Sequence, residues 1–111
     1  MDMIDYIYNA LKSLNIPVLW NVRPNTYPSI TYSFYNSTGQ EFGDGEEIGT
    51  GHYLQVNVWA RNKEDYVNTV TSVKTKLKEV GFTRQSEADL YESDIKLYHK
   101  AVRFFYLDNI G

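Results

Sequence analysis

The segment His52 to Ala60 alternates without interruption. Leu54, Val56, Val58 and Ala60 fall on one side of an extended chain, and Tyr53, Gln55, Asn57 and Trp59 on the other. A period of two over this length is the pattern of a strand with one apolar face. Ser29 to Asn36 repeats it, with Ile30, Tyr32 and Phe34 opposite Thr31, Ser33 and Tyr35. Two half-buried strands of this kind require a sheet with something packed on one side.

Two other segments have helical spacing. Ile4, Ile7, Leu11 and Leu14 form one apolar stripe over Asp2 to Leu14, with Asp2 and Asp5 at the positive end and Lys12 at the negative end. Asn62 to Val80 is more contested, because Val67, Thr69, Thr71, Val73, Thr75 and Leu77 also alternate like a strand. Asn62 as N-cap, Glu64 and Asp65 in the first turn, Lys74, Lys76 and Lys78 toward the far end and Gly81 as a stop favour a helix. Its stripe is Tyr66, Val67, Val70, Val73, Leu77 and Val80.

Pro17 ends the first helix, and Ile16 to Trp20 reads as a short strand before a loop over Asn21 to Pro28. Phe82 to Tyr91 contains a strand, Glu92 to Asp94 a turn, and Lys96 to Leu107 the last strand. Ser37 to Thr50 is acidic, carries Gly39, Gly43, Gly45 and Gly49, and shows no period, so it reads as a mobile hairpin connection. The expected order is α-β-β-β-α-β-β. It defines an α+β fold, a mostly antiparallel sheet with room for a mixed one, both helices on one face. The 111 residues fit a single domain, 1–111, with the mobile acidic loop at 37–50.

Composition removes several function classes. There is no cysteine, hence no disulfide framework, thiol nucleophile or cysteine zinc site. No apolar run reaches membrane-spanning length, and the acidic start is unlike a signal peptide, so no membrane partner is expected. Lys12 and Arg23 face six carboxylates in residues 1–60, a net of −4, while residues 61–111 balance to +1. The total of −3 and the lack of a basic stripe argue against affinity for nucleic acid, despite tyrosines able to stack on bases.

Catalytic chemistry finds no foothold. His52 and His99 each sit alone on a strand, where histidines are ordinarily structural. Phe42 to Glu47 lacks the alternating oxygen ligands of a calcium loop. Asp89, Glu92 and Asp94 are explained by turn chemistry, without the lysine of a nuclease motif. The expectation is no catalytic residue, no metal and no cofactor. Seventeen aromatic residues leave a sheet surface for a protein partner.

Three segments, in order, carry a resemblance. Pro28-Ser29-Ile30-Thr31-Tyr32 follows an N-terminal helix. Tyr53-Leu54-Gln55-Val56-Asn57-Val58-Trp59-Ala60 feeds the second helix. Asp89-Leu90-Tyr91-Glu92-Ser93-Asp94-Ile95-Lys96-Leu97-Tyr98-His99-Lys100-Ala101-Val102-Arg103-Phe104 opens and runs into the last strand. Together they resemble the tail-terminator, or tail-completion, proteins of long-tailed phages and prophages.

The resemblance implies a non-enzymatic virion protein at the head-proximal end of the tail, present in the host cytoplasm during assembly. Its partners would be further copies of itself in a homo-oligomeric ring, typically a hexamer, the tail tube protein, and the head–tail connector or stopper protein. DNA would only pass through the channel. Six copies at −3 each would carry −18, which disfavours adhesion to that DNA. The acidic segment Gly39 to Gly49 has no counterpart in the family pattern. Candidate interface residues are Tyr35, Tyr53 and Trp59 as aromatic anchors, and Glu41, Asp44, Glu46 and Glu47 on the acidic segment, ordered by assembly. A head-completion protein, or a small ligand-binding domain or enzyme unrelated to phages, is the alternative.

Overall fold

The computed structural model describes residues 2–43 and 46–109, with side chains at 2–35 and 49–108. Helix α1, Met3–Leu11, starts where the Asp2 carboxylate accepts from the backbone N–H of Ile4 at 2.9 Å. The expected helix to Leu14 tightens instead into a 3₁₀ turn, Lys12–Leu14. Asn15 then adopts left-handed backbone at φ 58° and ends it.

Strand β1, Val18–Trp20, runs parallel to β2, Ser29–Gly43. Strand β3, Glu46–Ala60, returns antiparallel to β2, and β5, Tyr98–Asn109, lies on its other side with β4, Thr83–Asp89, at the edge. Between β3 and β4 runs helix α2, Lys63–Glu79. The architecture is α+β: two helices and a five-stranded mixed sheet in the order β1-β2-β3-β5-β4.

One face of the sheet is covered by both helices. Met3, Ile7 and Leu11 of α1 and Val70, Val73 and Leu77 of α2 close over Ile30, Tyr32, Leu54, Val56, Val58, Val102 and Phe104. Each fully buried aliphatic side chain there contributes roughly 1.5–3 kcal/mol. Two tyrosines tie the helices to each other and to the sheet. Tyr6 donates its hydroxyl to the Val80 carbonyl at 2.7 Å, and Tyr32 donates to the Ile4 carbonyl at 2.9 Å. Asn62 caps α2, accepting from the Asp65 N–H at 2.8 Å, and Gly81 leaves it at φ 101°. A side chain there would press on the Tyr106 ring as well as strain the backbone. Val67, placed by spacing on the α2 stripe, is exposed instead, and Thr69 takes a buried position. The stripe is set by the sheet's outline as well as by period.

The connection read over Ser37 to Thr50 is mostly strand. The ladder continues through Ser37↔His52, Gly39↔Thr50, Phe42↔Glu47 and Gly43↔Glu46. Backbone hydrogen bonds sustain it, and they need no side-chain period. Gly49 sits close to β5: a Cβ there would lie 2.9 Å from the Leu107 side chain, which would have to shift.

Candidate assembly surfaces

The second face of the sheet carries no helix. Across it the register sets Trp59 beside His99, Asn57 beside Ala101, and Gln55 beside Arg103. A chain of polar contacts follows from this register. His99 Nε2 lies 2.9 Å from Asn57 Oδ1, which also accepts from Gln55 Nε2 at 3.2 Å. Arg103 Nε donates to Gln55 Oε1 at 3.1 Å, and its guanidinium stands 4.5 Å from the centre of the Tyr35 ring.

The three aromatic anchors expected from sequence are distributed unequally on this face. Tyr35 occupies the bulge where the β2 register shifts between Phe34 and Asn36, and it is 43% exposed. Tyr53 is half-buried, 5.8 Å from Tyr35 and stacked at 5.1 Å on Phe105. Trp59 is only 9% exposed. Its ring stacks on His99 at 3.7 Å, and its N–H donates to the Thr31 hydroxyl at 3.0 Å. As an exposed anchor Trp59 is therefore corrected: it is buried within its own chain. Of the acidic candidates, Asp44 lies outside the described residues, and Glu41, Glu46 and Glu47 lie outside the described side chains.

The histidines are held in place by their neighbours. Burial pushes His99 below its ordinary range, with the Glu92 carboxylate 3.7 Å from Nδ1 pulling the other way. His52 lies 3.8 Å from the Asp108 carboxylate and edge-on to Phe34.

Beneath α2, between Tyr66 and Lys74, on the covered face, sits a charged cluster that sequence reading missed. Glu87 is bonded by Lys74 at 2.7 Å, by Lys100 at 3.0 Å and by Arg84, and its carboxyl is pulled down to about 2, mainly by the Lys74 and Lys100 hydrogen bonds. Tyr66 donates to Asp89. Burial, then that bond, raises its hydroxyl to about 12. Lys100 also reaches Asp89, at 3.0 Å. The alternation of Glu87 and Asp89 on β4 was a signal for it, but the partner strand was needed to see it. Among the described residues no three His, Asp or Glu side chains gather to hold a metal.

Two features of the sheet's outline complete the surface. On the outer edge of β2, β1 pairs only with Ile30, Thr31 and Tyr32. Beyond Gly49↔Asn109 the β2–β3 hairpin has no third strand among the described residues, so it projects from the body as a two-stranded arm. The radius of gyration is 15.1 Å, against about 13 Å for a compact chain of this size.

A chain of a solved structure described as the virion of a native gene transfer agent particle is similar in fold. The TM-score is 0.59 at 11% identity, covering 93% of this chain and 91% of that one. No family model and no curated protein matches the chain.

Proposed function

We propose that this chain is a structural protein of a phage-like virion, and within it a tail terminator. Copies form a ring, six-fold in the simplest case, on the last layer of the tail tube. The ring ends tube growth and offers the head connector a docking surface, and DNA passes through without being bound. The observation that carries the reading is the likeness in fold, over nearly the whole of both chains, to a chain of the gene transfer agent virion.

The assembly surfaces agree with a structural role. Rings need two different patches per subunit, and this subunit offers an open polar-aromatic sheet face and a projecting arm. Deleting the gene in a producing strain tests the role. Tails of uncontrolled length without heads are expected. Normal tails joined to heads would overturn it, and normal tails without heads would favour a head-completion protein.

A further inference from the structure

We propose that the acidic arm of one copy docks in the basic groove of a neighbouring copy, between the end of α2 and the start of β4. The proposal rests on the ring reading, because it needs copies side by side. The groove has a volume of about 520 Å³, and Lys74, Lys78, Thr83 and Arg84 line it around Phe82 and Phe104. Glu87 takes up the charge of Lys74 and Arg84 only in part, since Lys100 shares the same carboxylate. Lys78 has no ion pair among the described residues. The groove thus keeps a surplus of positive charge beside an apolar floor.

The arm has the opposite character. Between Gly39 and Gly49 the sequence carries Glu41, Glu46 and Glu47 on strand backbone and no lysine or arginine. A two-stranded ribbon is marginal in water by itself. Cations on a neighbouring copy would offset its negative charge.

Topology excludes the arm's own groove. Strand β5 stands between β3 and β4, and the groove lies level with Arg84↔Phe104, whereas the arm leaves the sheet at Gly49↔Asn109 and runs outward. Folding back would break the ladder that forms it. From Gly49 outward the arm adds on the order of 15 Å of reach, enough to cross onto an adjacent subunit. The contact is head-to-tail: every copy gives an arm and receives one, which is the geometry that closes rings.

Charge reversal on each side tests this, read by mass photometry of the purified chain and by binding to tail tubes. Lys78→Glu with Thr83→Glu makes the groove acidic while leaving the Glu87 cluster intact, and Glu46→Lys with Glu47→Lys makes the arm basic. Each pair is expected to weaken assembly by about tenfold or more, and joining all four changes should restore most of it. Circular dichroism verifies folding, and if the groove pair unfolds, Lys78→Ser takes its place with the same readout. Wild-type assembly by either one-sided variant, or no rescue by the combination, would overturn the docking and leave the ring reading standing. A wild-type chain that stays monomeric alone and on tubes would overturn both.

Discussion

Leu54, Val56 and Val58 share a strand with Tyr53, Gln55, Asn57 and Trp59, yet the two sides of β3 are built on different physics. The first side is fully buried under α1 and α2 and works by apolar area, which is strong and undirected. The second is held by a directional chain from His99 through Asn57 and Gln55 to Arg103, each link contributing on the order of 1 kcal/mol. One side is committed to the fold. The other leaves Tyr35 exposed and Tyr53 half-buried, and on it the Ser29 hydroxyl and His99 Nδ1 are buried without a hydrogen bond.

Trp59 is the residue that most nearly breaks this division, being buried on the open side. Trp59→Ala removes the stack on His99 and the bond to Thr31, and should cost about 3–5 kcal/mol in urea unfolding of the monomer. A loss below ~1 kcal/mol would mean that the open face contributes little to folding even where it is sealed.

The Glu87 cluster sharpens the comparison from the covered side. Glu87→Gln should cost about 1–3 kcal/mol at neutral pH, because Lys100 and Lys74 lose their shared carboxylate. The folded carboxyl titrates near 2, against 4.5 ordinarily, so its stabilisation is complete above pH 4.5 and is lost as pH falls toward 2. The gap between wild type and variant, followed by urea unfolding across that window, should narrow with acid. A gap unchanged from neutral pH to pH 2 would show that the charge is not what stabilises.

Smaller effects belong to the open face proper. Arg103→Ala should lower stability by about 0.5–1 kcal/mol, through the lost bond to Gln55 and contact with Tyr35. Tyr35→Ala, at an exposed bulge, should stay within about 0.5 kcal/mol in folding but weaken assembly. If Tyr35→Ala changes stability and not assembly, the face is structural and the division fails.

Much of the frame was legible in the sequence. The alternation in His52 to Ala60 assigned both sides of β3, and Asn62 and Gly81 bracketed α2, because caps and periods are local properties. The ladder beyond Ser37 was not legible. A ribbon without a covered face needs no apolar period, and its glycines read as breakers although Gly49 answers to the close approach of Leu107. The burial of Trp59 was hidden for another reason. Its cover, His99, lies 40 positions along the chain, and only the β3–β5 register brings the rings together.

The central claim is that this chain caps a tube, and electron microscopy of tail tubes polymerising in its presence tests it most directly. The account predicts a closed ring at one end of each tube and an end to elongation there, with wild-type protein active and the arm-reversed Glu46→Lys, Glu47→Lys variant defective. Tubes that keep growing at an unchanged rate, with no ring at either end, would contradict it.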